Sequence, residues 1–247
     1  MIPCLLLRGR GLVKTMRFKS QTYIGDPINA VKIFNDKEVD ELVFLDITAS
    51  KENRGPNISL LKDITSECFM PLAYGGGVTN IDQIKELLRI GVEKVVINTA
   101  AHENPDFIRE AARKFGSSTI VISVDVKKNI FGKNCVFISG RNKMSNISPT
   151  EYVRKMEEIG AGELLLNVVD ADGMMGGYDL SLISQLSHAV SVPLIACGGA
   201  GELDDFRKAR DAGASGVAAG SMFVFQNRNR AVLINYPSIP ELERVFQ

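Results

Sequence analysis

The chain has 247 residues with 29 basic and 29 acidic side chains, so its formal net charge at pH 7 is zero. This balance excludes a general attraction to nucleic acid or to an anionic membrane, and the apolar runs fall short of the roughly 20 residues of a membrane span. The apolar start at residues 2–7 lacks a basic segment before it and a small-residue cleavage site after it. This predicts a first strand rather than a signal peptide, and a cytoplasmic location.

Short strand-like runs alternate with amphipathic helical stretches along the whole chain, which predicts βαβ units around a parallel sheet. A self-comparison at an offset of 122 residues pairs Asp26-Pro27 with Ser148-Pro149, each a helix cap followed by a helix-opening proline. The repeat predicts one (β/α)₈ TIM barrel over residues 1–247, built from two (β/α)₄ halves at about 1–120 and 121–247. A doubly wound open sheet gives no reason for a twofold repeat. The eight predicted strands lie near residues 2–7, 42–47, 70–74, 94–98, 119–125, 163–168, 193–197 and 216–220.

Glycine clusters follow the third and seventh predicted strands, and polar residues follow the fourth and eighth. Glycine adopts positive φ and lets backbone N–H groups approach an anion closely. Two such clusters at opposite sides of a barrel mouth predict an elongated ligand with a phosphate at each end. Glycines that only permit tight turns are the alternative. The candidate phosphate-binding residues are Gly76, Gly77, Asn98, Thr99, Gly198, Gly199, Gly220 and Ser221.

The four cysteines stand more than sixty residues apart, at Cys4, Cys68, Cys135 and Cys197. This spacing favours reduced, mostly buried thiols over a disulfide framework or a zinc site. The two histidines, too, are far apart. No metal and no cofactor is therefore expected.

Four segments carry a family likeness: Asp40–Ser50, Ile97–Ala101, Gly160–Glu163 and Asp170–Gly173. They resemble HisF, the cyclase subunit of imidazole glycerol phosphate synthase, and the likeness runs from residue 2 to about residue 225. The resemblance implies a cyclase supplied with ammonia through the barrel by a bound HisH-type glutaminase. It also implies a bisphosphorylated small-molecule ligand, with Asp172 and Gly173 among the residues at its phosphates.

The resemblance further implies two catalytic aspartates, at the ends of the first and fifth strands, acting as general acid and base. Asp125 supplies the second, but alignment of the two strands places Leu6 at the position of the first. The Asp-Gly that usually follows has become Gly9-Arg10-Gly11. Leucine can neither donate nor accept a proton, so cyclase activity is expected to be lost or low. Alternatively, Asp125 is a leftover stabilised by Lys127.

Three charged residues, Glu41, Lys94 and Glu163, begin the second, fourth and sixth predicted strands. They should therefore meet at the amino-terminal mouth of the barrel. The resemblance implies an ammonia gate there, on the face where the glutaminase docks, with Glu93 as a further partner contact. A solvated salt-bridge cluster without a transport role is the alternative.

The segment Phe223–Pro237 takes the place of the final helix and resembles the HisF-like branch of acetamidino sugar modification, the WbuZ or AglZ type. That branch implies a second partner, a sugar amidotransferase, and Arg228 and Arg230 are either contacts with it or solvated charges. We therefore expect an ammonia-handling subunit that serves the amidation of a surface-polysaccharide sugar precursor, as in lipopolysaccharide O-antigen biosynthesis. An authentic cyclase of histidine biosynthesis and a HisA-type sugar-phosphate isomerase remain alternatives.

Overall fold

The computed structural model describes residues 1–226 and 230–246 and contains a closed barrel of eight parallel strands. Each strand pairs with the next, and the last pairs with the first, with Ile2 opposite Ala218. The predicted (β/α)₈ TIM barrel and its eight strands are confirmed. The barrel strands are β1 (Ile2–Arg8), β2 (Leu42–Asp46), β3 (Leu72–Gly75), β4 (Lys94–Ile97), β5 (Ile120–Lys128), β6 (Glu163–Val168), β7 (Leu194–Cys197) and β8 (Gly216–Ala219).

Helices surround the barrel, and their starts follow the capping pattern of the sequence. The Asp26 carboxylate accepts from Asn29 N at 3.0 Å, and the Ser148 hydroxyl accepts from Glu151 N at 3.2 Å. Each cap precedes a proline that opens the helix. The main helices are α1 (Pro27–Asp36), α2 (Ile58–Glu67), α3 (Ile81–Arg89), α4 (Pro105–Phe115), α5 (Pro149–Glu158), α6 (Leu180–Ser187), α7 (Leu203–Asp211) and α8 (Ile239–Phe246). Within the described ranges, none of the helices has the length and apolar character needed to cross a membrane.

Two antiparallel extensions at the carboxyl ends of the strands were not predicted. Strands Gly11–Thr15 and Gln21–Gly25 form an arm that pairs with β1, and we call it the β1 arm. Strand Asn134–Ile138 pairs with the end of β5. The β1 arm contributes Lys14 and Thr15 to the lining of the barrel mouth, and the residues directly after the strand Asn134–Ile138, beginning with Ser139, line it as well.

The hydrophobic core has two layers, one between strands and helices and one inside the barrel. The inner layer is apolar and contains Ile2, Cys4, Val43, Ala73, Val96, Val121, Leu165, Ile195, Cys197 and Ala218. Cys4 and Cys197 are neighbours in this layer. A hydrogen bond with Cys4, together with burial, raises the pKa of the Cys197 thiol well above its usual value. All four cysteines are free, and Cys68 and Cys135 are only partly buried.

The C-terminal segment folds back onto the barrel. Residues 223–237 include the short paired strands Phe225–Gln226 and Ala231–Val232, and α8 follows them as a closing helix. The Arg230 guanidinium donates to the Gly173 carbonyl and lies over the Phe225 ring. Arg230 therefore contacts groups of its own chain. Arg228, the other predicted contact, lies outside the described residues.

Candidate functional site

A cavity of about 300 Å³ opens at the carboxyl ends of the barrel strands. This is the end at which TIM barrels carry their active sites, because the strand-to-helix loops converge there. All the residues predicted for this end of the barrel line the cavity. They are Leu6, Gly76, Gly77, Asn98, Thr99, Asp125, Asp172, Gly173, Gly198, Gly199, Gly220 and Ser221.

The predicted catalytic residue Asp125 and Leu6, at the position of the lost aspartate, line this cavity from β5 and β1. Leu6 is 7% exposed and stands beside Leu45 of β2, whereas Asp125 is 4% exposed and stands beside Asn167 of β6. The end of β1 thus offers hydrocarbon to the cavity and the end of β5 offers a carboxylate. The pair itself contains only one group that can transfer a proton.

Asp125 is an unusual carboxyl group because burial raises its pKa to about 7. Hydrogen bonds from Ser139 and Ser123 oppose this shift, with Ser123 Oγ donating at 3.1 Å, and the nearby charge of Asp172 adds to it. Lys127 Nζ lies 5.1 Å from the centre of the Phe137 ring, so a cation–π contact occupies it. Asp125 can therefore exchange a proton near neutral pH.

The other aspartates of the cavity are held by cations. Lys14 Nζ, on the β1 arm, donates to Asp172 Oδ1 at 2.5 Å, and Thr15 Oγ1 donates to Asp172 Oδ2 at 2.6 Å. Arg54 Nη1 lies 2.8 Å from Asp46 Oδ2. The hydrogen bond to Asp46 is the main reason why the pKa of Arg54 is raised. Neither pair was predicted, and Lys14 and Asp172 lie 158 positions apart along the chain.

The glycine pair after β3 has the predicted backbone conformation. Gly76 and Gly77 have φ values of 127° and 72°, which favour glycine. A Cβ on Gly76 would lie 2.6 Å from the Asp46 carbonyl oxygen. A Cβ on Gly77 would collide with the Arg54 carbonyl oxygen. Gly77 N donates to Ser50 Oγ at 3.3 Å. The turn itself therefore requires both glycines, whether or not an anion binds.

Asn98 and Thr99 follow β4 and begin the short helix Thr99–Glu103. Asn98 Nδ2 donates to the Ser123 carbonyl at 3.0 Å, and Asn98 Oδ1 accepts from Ser139 Oγ at 3.3 Å. These bonds tie β4 to β5 and place Asn98 close to the serines that contact Asp125. The Thr99 side chain is buried at the cavity wall.

The second glycine pair, after β7, matches the first. Gly198 and Gly199 have φ values of 86° and 127°, and a Cβ on Gly199 would collide with the Gly177 carbonyl oxygen. After β8, a Cβ on Gly220 would lie 2.8 Å from the Cys4 carbonyl oxygen. Ser221 Oγ next to it is buried and has no hydrogen-bond partner among the described residues. An unpaired buried hydroxyl facing a cavity is ready to bond a ligand.

Asn167 is a cavity residue that the sequence reasoning missed. It is the penultimate residue of β6 and lies opposite Asp125, and in the part of the chain that the structure describes its buried Oδ1 accepts no hydrogen bond. Leaving a buried acceptor unpaired costs free energy, so its place in the cavity indicates a ligand that donates to it. Only its position at the carboxyl end of a predicted strand signalled it in the sequence.

The charged residues at the amino-terminal mouth meet as predicted. Lys94 Nζ lies 2.8 Å from Glu41 Oε2 and 2.9 Å from Glu163 Oε2. Burial lowers the pKa of Lys94, but the hydrogen bonds to both glutamates outweigh this and raise it. Burial raises the pKa of Glu163, against the effect of Lys94. Glu93 is exposed beside this group. We call Glu41, Lys94 and Glu163 the charged ring.

No cluster of three or more His, Cys, Asp or Glu side chains within residues 1–226 and 230–246 is arranged to hold a metal ion. The cavity offers the proton-exchanging carboxyl group of Asp125, unpaired polar atoms of Asn167 and Ser221, and glycine-rich turns.

Comparison with known proteins gives consistent matches along nearly the whole chain. The profile of the family described as histidine biosynthesis protein matches residues 1–229. A Pseudomonas aeruginosa protein provisionally named imidazole glycerol phosphate synthase subunit hisF2 is 48% identical over 98% of this chain and 97% of its own. A Leptospira interrogans protein, provisionally named as subunit HisF, is 44% identical over 99% and 97%. The Thermobifida fusca protein named imidazole glycerol phosphate synthase subunit HisF is 42% identical over 91% and 90%.

Proposed function

Because this chain belongs to the HisF family of histidine biosynthesis proteins, we propose that it is an ammonia-handling subunit that pairs with a HisH-type glutaminase. It conducts ammonia through its barrel for acetamidino formation on a surface-polysaccharide sugar precursor, as in the WbuZ or AglZ branch. Residues 1–247 act as one unit of two half-barrels, about 1–120 and 121–247, in the cytoplasm.

One observation carries this proposal: the cavity has a leucine where the cyclase mechanism needs a proton-transferring group. Leu6 cannot protonate or deprotonate a substrate opposite Asp125. Asp172 does not replace it, because Lys14 and Thr15 hold both of its oxygens. Both oxygens of this carboxylate are therefore engaged within the chain. Asp46 is held in the same way by Arg54.

The inside of the barrel supports a conduit. Ammonia entering beside the charged ring would meet the apolar inner layer, which holds residues such as Val43, Val121 and Leu165. Neutral ammonia passes an apolar layer far more easily than ammonium, because burying an unpaired charge is very costly. At the carboxyl end it would reach the polar atoms of Asp125 and Asn167. From there a sugar amidotransferase docked at the mouth receives it.

The glycine-rich turns and Ser221 bind the phosphates of a phosphorylated small molecule. Gly76 and Gly77 with Asn98 and Thr99 form one site. The other consists of Gly198, Gly199, Gly220 and Ser221, with Asp172 and Gly173 beside it.

Glutamine hydrolysis by the partner tests the proposal. The barrel should stimulate a co-purified HisH-type glutaminase, and Lys94→Met should lower the stimulation by about tenfold, because two glutamates then lose their cation. Lys114→Met, on the exposed surface of α4, is the matched control. Absence of any stimulation by the unchanged barrel would reject the proposal.

A second candidate, the cyclase of histidine biosynthesis, is favoured by the raised pKa of Asp125. A carboxyl group with a pKa of about 7 suits general acid–base catalysis at neutral pH. Steady-state assay with the bisphosphorylated intermediate and an ammonium salt decides between the two. We expect very low turnover, and recovery in Leu6→Asp. Turnover of the unchanged protein at the rate of an ordinary cyclase would establish the second candidate instead.

A further inference from the structure

A second groove lies beside the barrel cavity, and the proposed ammonia chemistry does not use it. The groove runs between the β1 arm and the loop that joins β2 to α2, and its volume is about 840 Å³. It shares Arg54 and Gly55 with the wall of the barrel cavity. Pockets that hold drug-sized ligands range over roughly 300–1,000 Å³, so a nucleotide would fit here.

The groove carries an excess of positive charge. Its lining includes Arg8, Arg10 and Arg54, against the single acidic residue Glu52. Two carboxylates hold Arg54, with its Nε 2.6 Å from Glu52 Oε2 and its Nη1 2.8 Å from Asp46 Oδ2, so its charge is not free to act on a ligand. The charges of Arg8 and Arg10 therefore remain to act on a ligand.

Neither remaining arginine has a strong acidic partner. Arg8 Nη1 donates to Gln21 Oε1 at 2.6 Å, and that amide is neutral. Arg10 Nη2 lies 3.6 Å from Asp63, where both side chains are largely exposed, and such a pair is worth little. Guanidinium groups match the oxygens of phosphate with two parallel hydrogen bonds. The charge and geometry of the two guanidinium groups thus suit a phosphorylated ligand.

An aromatic ring stands in the same groove. Tyr23, on the second strand of the β1 arm, is 67% exposed although it is a large aromatic residue. Its ring lies against the Gly11 backbone, where an added Cβ would be 2.8 Å from Tyr23 Cε2. Exposed aromatic rings beside basic groups are typical platforms for nucleobases.

We propose that this groove binds a nucleoside diphosphate, with Arg8 and Arg10 on the phosphates and Tyr23 stacked on the base. The site is separate from the glycine-rich turns of the barrel cavity and does not depend on the proposed ammonia conduction. Because the two spaces share a wall at Arg54, a sugar attached to the diphosphate would extend along that wall towards the barrel mouth.

Calorimetric titration of the full chain with uridine diphosphate, adenosine diphosphate and inorganic pyrophosphate tests this site. We expect saturable binding of the two nucleotides and at least a tenfold weaker affinity for them in Arg10→Ala or Arg8→Ala. Tyr23→Ala should weaken nucleotide binding but leave pyrophosphate binding unchanged, and Tyr23→Phe should behave as the unchanged protein. Arg113→Ala, on α4 far along the chain, is the charge-matched control.

All three groove residues are exposed, so their variants should fold, and circular dichroism checks this. Absence of saturable nucleotide binding would overturn the proposal. So would nucleotide affinity that is unchanged in Arg8→Ala and Arg10→Ala, because the ligand would then sit on the glycine-rich turns. Stimulation of the glutaminase should be normal in all these variants, since the charged ring lies at the opposite end of the barrel. A failure here is thus distinct from failure of the proposed function.

Discussion

The two halves of the barrel have matching glycine turns but opposite chemistry at the ends of their first strands. Gly77 and Gly199 both have positive φ, and both would collide with a neighbouring backbone carbonyl if they carried a side chain. At the matching strand positions, Leu6 and Asp125 share only their burial. The backbone conformation of the two turns requires glycine at these positions, whereas the backbone at the two strand ends does not require a particular side chain. The strand ends are therefore the better guide to function.

The largest expected effect concerns the contact that joins the halves, Lys14 to Asp172. Asp172→Ala would leave Lys14 buried without its partner, and this should cost about 3 to 5 kcal/mol of unfolding free energy. Urea denaturation measures it. Asp170→Ala, which loses only a hydrogen bond from Lys128 N, is the control and should cost about 1 kcal/mol. Equal losses in both variants would show that the buried pair is not special.

The glycine turns should be equally intolerant in both halves. Gly77→Ala and Gly199→Ala should each cost about 3 kcal/mol, through left-handed backbone strain and collision with a carbonyl oxygen. Gly132 has a φ of 75° and open space around it. Gly132→Ala therefore measures the backbone strain without a collision, and it should cost about 1 kcal/mol. Urea denaturation of the three variants provides the comparison. Tolerance at only one of the two turns would break the equivalence of the halves.

The strand ends should differ in their response to pH. The folded-state pKa of Asp125 is about 7, above the unfolded value of about 3.9, so ionisation is disfavoured in the folded protein. This residue contributes a loss of stability as pH rises from about 4 to 7, and no further change above. Asp125→Asn should remove that loss, which a shift of about three pKa units sets at roughly 4 kcal/mol, and so gain at least about 2 kcal/mol at pH 8. Thermal unfolding at pH 5 and pH 8 checks this, and identical pH profiles for both proteins would contradict it.

The smallest effect is expected at the other strand end. Leu6→Met keeps the apolar volume and should cost less than about 1.5 kcal/mol. Because Leu6 has no proton-transfer role, glutaminase stimulation should stay unchanged in this variant. Chemical denaturation and the coupled glutaminase assay measure both. A large fall in stimulation would mean that Leu6 shapes the conduit and does more than fill space.

Local signals predicted the barrel strands and the helix caps well. Short β-branched runs alternating with helical stretches marked all eight barrel strands, and Asp26 and Ser148 cap their helices as the sequence indicated. The β1 arm was missed, because its turn lacks the Asn-Gly or Asp-Gly signal of a tight hairpin.

The missed parts of the site depend on contacts between distant positions. Lys14 meets Asp172 only when the β1 arm folds over the closed barrel, and Cys4 meets Cys197 only inside it. Asn167 looked like an ordinary strand residue until its neighbour in the register was known to be Asp125. Spacing along one chain carries no sign of such pairs.

The seam between β1 and β8 has a consequence for biosynthesis. Ile2 leaves the ribosome 216 residues ahead of its partner Ala218. Until then one side of a buried, apolar β1 has no strand to pair with, and a nascent strand in that condition readily pairs with another chain. Slow translation of the last third should thus increase aggregation, and chaperone binding to nascent β1 should relieve it.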